Sequence, residues 1–437
     1  MAKSGFAQIA AQPDIPGAAA YLERARQRCL PDLPGGADHI GKVAVIGAGT
    51  MGRDIALALL LSGRQVILSD PSPSVLDQAQ ARIANAVVKK VDDPDAMLDQ
   101  LSLVPDLDLP PDLDMVIEAV PERLDLKIAV LSELSGKLGP QAILATNTST
   151  LDLDAIAAGV PGSDRVIGTH FFMPAHVTRL LELVGAKTTR ADVIQTAKAL
   201  AADLGKIPVL AGNCDGFIGN RLFDRLHQEA MYMLEEGAEP AQIDDALEGW
   251  GFMLGPLRVL DMIGNDIPWG VRKQRAARDP SLEQPLVGDR LCEAGWMGQK
   301  SGQGWYVYPD GARRGVPSQV SQSIAQQAAA DLGAAPQSFA PEQIIERCLM
   351  VLILEAARIR AEAMAETAAD IDLVYVTGYG FPAKMAGPLR LGSEIGAAAI
   401  RAFAASMHQN CRHGARWQVP AELEAILDQV RETENAV

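Results

Sequence analysis

Three glycines, one aspartate and a histidine–glutamate pair carry the chemistry this sequence can do. Gly47, Gly49 and Gly52 stand in Val43-Ala44-Val45-Ile46-Gly47-Ala48-Gly49-Thr50-Met51-Gly52, directly after an apolar run and before a long apolar helix-like segment. In that setting Gly47 permits a tight turn, Gly49 lets the backbone approach a pyrophosphate, and Gly52 allows close packing of helix on strand. Ala48, Thr50 and Met51 complete the turn, and the helix N-terminus offers its N–H groups to phosphate charge. Asp70 ends the next apolar run, about twenty residues on, where a carboxylate can accept both adenosine-ribose hydroxyls; this favours NAD over NADP. FAD-binding chains use the same fingerprint, and a glycine turn without any ligand shares its shape. The succession of strand, turn, helix, strand and acid is what singles out a dinucleotide.

The second constellation is Thr169-His170-Phe171-Phe172-Met173-Pro174, followed by Glu182 in Leu181-Glu182-Leu183-Val184. His170 follows an apolar strand and is expected at the carboxyl end of a sheet, where such folds bind ligands. Glu182 is an acid inside an apolar strand, and a buried carboxylate needs a partner. A His–Glu pair satisfies both, because the carboxylate orients the imidazole and offsets the charge when the ring takes a proton. The bland alternative is a packed loop histidine and an unrelated strand carboxylate. His176 lies close by and competes for the role; the spacing alone does not choose between them.

The elements that must position these residues alternate. Apolar runs at Lys42–Ile46, Gln65–Ser69, Met115–Val120, Ala142–Ala145, Arg165–Gly168 and Leu180–Val184 are separated mostly by helix-like segments. Alternation of this kind predicts an α/β, Rossmann-type doubly wound sheet. After about Gly212 helix-period segments dominate, interrupted by a Pro/Gly/Ser-rich stretch over 310–338. The helical half repeats itself. Asn220-Arg221-Leu222, Glu229-Ala230, Ile243-Asp244, Gly251-Phe252 and Gly255-Pro256-Leu257-Arg258 are answered by Glu346-Arg347-Cys348, Glu355-Ala356, Ile371-Asp372, Gly380-Phe381 and Gly387-Pro388-Leu389-Arg390. Five landmarks in one order predict two duplicated all-helical domains. The expected layout is an N-terminal extension over 1–40 with one helix at Gly17–Leu30, a dinucleotide-binding domain over 41–213, a first helical copy over 214–312, a linker over 313–340, and a second copy over 341–437.

With 39 Lys plus Arg against 55 Asp plus Glu, a formal charge of −16, the chain is a poor general partner for nucleic acid or an acidic membrane. The longest apolar run, Ile55 to Leu61, is too short to cross a bilayer. The N-terminus lacks the apolar core of a signal peptide, and the C-terminus is no peroxisomal or retention signal. Five scattered cysteines with no CxxC pair suit a reducing compartment, offer no disulfide framework and suggest no metal site. The expectation is a cytoplasmic protein.

At this point the sequence resembles the L-3-hydroxyacyl-CoA dehydrogenases, most closely the dehydrogenase portion of bacterial and peroxisomal multifunctional fatty-acid oxidation proteins. The resemblance runs from about Lys42 to at least Gly396. It rests on the glycine turn, Val116-Ile117-Glu118-Ala119-Val120-Pro121-Glu122, Asn147-Thr148-Ser149, His170-Phe171-Phe172, Gly216-Phe217-Ile218-Gly219-Asn220-Arg221 and Gly298-Gln299-Lys300-Ser301-Gly302-Gln303-Gly304-Trp305-Tyr306. It implies His170 as catalytic base with Glu182 as its orienting partner. Ser149 and Asn220 would hydrogen-bond the reacting oxygen and its surroundings, and Ser149 would also lie near the nicotinamide. Glu122, Lys127 and Lys300 match positions that approach the nicotinamide half of the cofactor. Taken alone, Ser149 and Asn220 read as a strand-end serine and a helix-start asparagine, and Glu122 and Lys127 as a solvated helix face. The chain departs at Met173, which is Asn in many relatives, so an altered pocket is expected there. Lys89-Lys90 is the one basic pair placed to meet CoA phosphates, or else a solvated helix face.

The resemblance therefore implies an NAD-dependent (S)-3-hydroxyacyl-CoA dehydrogenase acting in fatty-acid β-oxidation on an acyl-CoA substrate. Its rivals are a dehydrogenase of a non-CoA 3-hydroxy acid and a non-catalytic, crystallin-like nucleotide binder. A monomer is expected, because the second helical copy can take the place of the subunit that single-copy relatives recruit. Residues 1–40 are too few for a hydratase domain, and their helix resembles the linker helix of multifunctional relatives, so a separate enoyl-CoA hydratase is expected to work alongside.

Overall fold

The computed structural model describes residues 14–31, 40–309, 312–333 and 337–435. They fall into two compact units, one holding 22–220 with 362–378, the other 221–361 and 379–437 with the start of the chain.

The first unit is built on an eight-stranded sheet. Its strands are β1 Lys42–Ile46, β2 Gln65–Ser69, β3 Leu101–Val104, β4 Met115–Glu118, β5 Ile143–Thr146, β6 Val166–Phe171, β7 Leu180–Gly185 and β8 Ile207–Ala211. The order is β3-β2-β1-β4-β5-β6-β7-β8, and β1 to β6 are mutually parallel. A parallel sheet needs crossovers, which here are helices such as Thr50–Leu61, Pro73–Val87 and Leu124–Lys137. Helices on the faces bury the strands on both sides, which is why they read as apolar runs and not as alternations. Val43, Val45, Leu68, Ile117 and Ala145 meet Ile55, Leu59 and Ile83 in one core. The doubly wound reading holds, and the order reverses between β1 and β4, the switch point beside which ligands bind in such sheets.

Two strands escape the sequence reading, and the last two run against the other six. β3 is a half-exposed edge strand with little apolar signal, and β8 carries Pro208. β7 pairs antiparallel with β6 and parallel with β8. Only residues 172–179 separate β6 from β7, too few for a crossover helix, so the chain must turn back on itself.

The second unit is helical. Pro240–Trp250, Pro256–Ile263 and Asp266–Arg278 belong to the first copy; Pro341–Ala361, Pro388–Ile395 and Ala397–Asn410 belong to the second. The repeated landmarks occupy equivalent local positions. Pro256 and Pro388 each open a helix, where a missing N–H costs nothing. Gly251 and Gly380 each follow a helix with positive φ, +135° and +72°. The stretch expected as a linker is a correction: Val316–Pro317 pairs antiparallel with Tyr306–Val307, and Gln319–Asp331 is a helix capped by Ser318, whose side chain accepts from Ser321 N. Its Pro/Gly/Ser-rich flanks outweigh, in composition, a run of Ala and Gln that forms helix readily. The N-terminal helix spans Ala18–Cys29, close to the expected range, and Arg28 pairs with Asp370 at 2.6 Å.

Candidate active site

The glycine turn sits at the carboxyl end of β1 and has the three properties its sequence requires. Gly47 adopts φ +99°, and a Cβ there would stand 2.8 Å from the Ala119 carbonyl oxygen. A Cβ on Gly52 would lie 1.7 Å from the Gly47 oxygen, so no larger residue fits under the helix. Gly49, in contrast, has open space around it. The helix Thr50–Leu61 has no side-chain cap at Gly49, which leaves its first N–H groups for an anion. This cradle fits a dinucleotide pyrophosphate. Asp70 follows β2, and its carboxylate accepts from Ala48 N and Ser72 N, both at 2.9 Å. It thereby ties the glycine turn to the second strand.

His170 and Glu182 are register partners across β6 and β7. His170 Nδ1 lies 2.8 Å from Glu182 Oε2, and both side chains are buried. The other carboxylate oxygen accepts from Ile218 N at 3.2 Å and Gly219 N at 2.9 Å. Gly219 opens the helix Gly219–Glu235, so the positive end of a long helix faces Glu182. Three donors or ring contacts thus converge on one carboxylate, which fixes the orientation of the His170 ring. Phe172 and Phe217 flank the ring, with centroids at 4.3 and 5.8 Å. His176 is placed differently. Its Nδ1 is 3.8 Å from Asp54, and burial lowers its pKa from the ordinary histidine value.

The ends of β4 and β5 hold a denser network than the sequence suggests. Lys127 is 1% exposed, so the expected solvated face is wrong for it. The ammonium reaches Glu118 at 2.9 Å and Glu122 at 3.2 Å. Glu122 then accepts from Thr148 Oγ1 at 2.6 Å and from the Ser149 and Thr150 N–H groups at 2.9 and 3.2 Å. Asn220 Nδ2 donates to the Ser149 carbonyl at 3.4 Å, bringing the serine and asparagine of the resemblance together. Sequence reading passed over Glu118 as a functional residue, although it is an acid inside an apolar run, the same signal that picked out Glu182. It also passed over Asn147, whose Oδ1 accepts from Phe171 N at 2.9 Å and pins the strand end beside His170. Met173 is 59% exposed, and Lys89 and Lys90 are exposed beyond the helix Pro73–Val87. Lys300 lies in the helical unit and is ion-paired with Asp266.

Residues 42–214 match the family described as "3-hydroxyacyl-CoA dehydrogenase, NAD binding domain", and residues 216–308 match its C-terminal domain. The chain belongs to the 3-hydroxyacyl-CoA dehydrogenase family. It is 37% identical over 380 residues to the peroxisomal bifunctional enzyme of Cavia porcellus, covering 82% of this chain and 52% of that one. The chain thus spans about half the length of the curated relatives it matches. Among solved structures it resembles 3-hydroxybutyryl-CoA dehydrogenase from Escherichia coli K12, with a TM-score of 0.75, 27% identity, and coverage of 90% of this chain and 100% of that one. The (S)-3-hydroxybutyryl-CoA dehydrogenase from Ralstonia eutropha is 33% identical, with a TM-score of 0.59 and coverage of 62% and 100%. Among the described residues no helix is long and apolar enough to cross a membrane.

Proposed function

We propose that this dehydrogenase interconverts (S)-3-hydroxyacyl-CoA and 3-ketoacyl-CoA thioesters, as in fatty-acid β-oxidation, with His170 and Glu182 as its proton-transfer pair. The 2.8 Å contact between them, with Glu182 buried at a helix N-terminus, is the observation that carries this reading.

When bound, NAD supplies the hydride acceptor for oxidation and, as NADH, the donor for reduction. The chain's residues do the rest. Neutral His170 takes the substrate hydroxyl proton on Nε2, and Glu182 offsets the charge that develops on the imidazolium. Ser149 and Asn220 orient the reacting oxygen, and their mutual hydrogen bond holds them in one arrangement. The glycine turn and Asp70 would hold the adenosine end, with Glu122 and Lys127 at the other half. Met173 and Lys300 match family positions associated with the cofactor. Exposed Met173 leaves the acidic and hydroxyl groups to supply polarity there.

The oligomeric state we propose is a monomer. Its support is the pairing of Arg221 with Glu355 and of Arg347 with Glu229, which joins one helical copy to the other within a single chain. Five free cysteines suit a reducing, cytoplasmic setting. An enoyl-CoA hydratase activity would supply the substrate, since hydration of a 2,3-enoyl thioester gives the 3-hydroxy compound. Oxidation of NADH with acetoacetyl-CoA, followed at the NADH absorbance, tests the reaction. Turnover of free 3-hydroxy acids but not of thioesters would replace the substrate class, and no turnover of either would remove the enzymatic reading.

A further inference from the structure

Glu118, Lys127 and Glu122 form a chain of alternating charge whose count is uneven: two carboxylates to one ammonium. The chain lies at the carboxyl end of β4. In a sheet of this order the β1–β2–β3 half takes the adenosine end of a dinucleotide and the β4–β5–β6 half takes the other mononucleotide. Glu118 is wholly buried and accepts from Val120 N at 2.7 Å, Lys127 Nζ at 2.9 Å and Thr146 Oγ1 at 2.6 Å. Glu122 accepts from Ser149 N, Thr150 N and Thr148 Oγ1, and meets the same ammonium. Backbone N–H groups and an ammonium only donate, so both acids are met as acceptors, the role of an ionised carboxylate. Burial pushes the Glu118 carboxyl up against that role, whereas at Glu122 burial is outweighed by Lys127 and the pKa falls. Lys127 spreads its donors over Glu118, Glu122 and the Val120 carbonyl, and among these contacts nothing balances the second carboxylate.

We propose that this uncompensated negative charge makes Glu118 a determinant of redox-state specificity, favouring NAD⁺, whose nicotinamide ring is cationic, over NADH, whose ring is neutral. The inference rests on the NAD reading and adds to it a bias between the two forms of one cofactor. A single charge held in a poorly polarisable site acts over several ångströms, enough to change a ratio of affinities by on the order of tenfold.

The test is the ratio of dissociation constants for NAD⁺ and NADH, measured by calorimetry and by NADH fluorescence. Glu118→Gln and Glu122→Gln each remove one negative charge, and each should raise Kd(NAD⁺)/Kd(NADH) about tenfold. The double variant Glu118→Gln/Lys127→Met removes one charge of each sign. It should weaken both forms while leaving the ratio within about threefold of wild type. A purely structural role predicts that both constants rise together in all three proteins. An unchanged ratio in the single variants overturns the proposal, as does a double variant shifted as far as they are. If Glu118→Gln does not fold, half-buried Glu122→Gln removes the same charge and carries the test. Failure of the wild type to bind either dinucleotide would instead overturn the cofactor reading.

Discussion

Arg347 of the second helical copy grips Glu229 of the first, and Arg221 of the first copy answers by pairing with Glu355 of the second at 2.7 Å. Arginine and glutamate stand eight residues apart in each copy, 221 to 229 and 347 to 355, which is about two helical turns. The duplicated helices therefore exchange ion pairs reciprocally, as two subunits related by a twofold axis would. Arg416 adds a second guanidinium to Glu229 at 2.8 Å.

Glu229→Gln should destabilise the chain by about 3–5 kcal/mol at neutral pH, because Arg416 loses its carboxylate and Arg347 keeps only Glu236. Burial pushes the Glu229 carboxyl up, but Arg347 and Arg416 more than offset it and leave it at about 2, against 4.5 ordinarily. A folded value below the unfolded one contributes stability that is complete above about pH 4.5 and is lost as pH falls toward 2. Urea midpoints of wild type and variant should thus differ widely at pH 7, draw together below about pH 4.5 and converge only near pH 2. A gap independent of pH would count against this account.

Light scattering at micromolar concentration should return a mass near the 46.4 kDa of one chain. The two helical stretches are joined within one chain through Arg221–Glu355 and Arg347–Glu229. Twice that mass would contradict the monomer.

Legibility in the sequence followed burial except at β8, which is buried but carries Pro208 within its short apolar run. β1, β2 and β4 to β7 are buried and apolar, and each was readable as a run; β3, exposed along an edge, was not. The glycine turn was readable because Gly47 and Gly52 have no room for a side chain, while Gly49 leaves the approach to the turn open. His170 was readable as a candidate but not as the choice over His176, since the choice depends on cross-strand register, which spacing along the chain does not give. Lys127 was misplaced for the opposite reason. A lysine near a helix start looks solvated until the acid that neutralises it, Glu118 on a neighbouring strand, is known to lie 2.9 Å away.

NAD should be preferred over NADP by on the order of a hundredfold, since Asp70 would face a 2′-phosphate with like charge. Asp70→Ala should narrow that gap but also weaken both cofactors, because the Ala48 N–H loses its acceptor. Asp70→Asn removes the charge and keeps one acceptor oxygen, enough for the Ala48 N–H but not for Ser72 N as well. It should narrow the gap with a smaller loss of NAD affinity. Comparable kcat/KM for NAD and NADP in the wild type would refute the assignment.

His170 and Glu182 should behave as one unit in proton transfer. His170→Ala removes the base, and such contributions are typically 10²–10⁴-fold in rate. Glu182→Gln keeps the shape and the register but loses the charge that stabilises the imidazolium. It also places an amide opposite Ile218 N and Gly219 N, where the carboxylate accepted both. Turnover should fall in both single variants while NADH binding, followed by fluorescence, persists. Because each change acts on the same proton, the double variant should lose far less than the product of the two single losses. His176→Ala is the control: its ring sits beside Asp54 and not beside Glu182, so turnover should survive. Loss of turnover in His176→Ala with retention in His170→Ala would assign the base to the wrong histidine, and fully multiplicative losses would dissolve the pair.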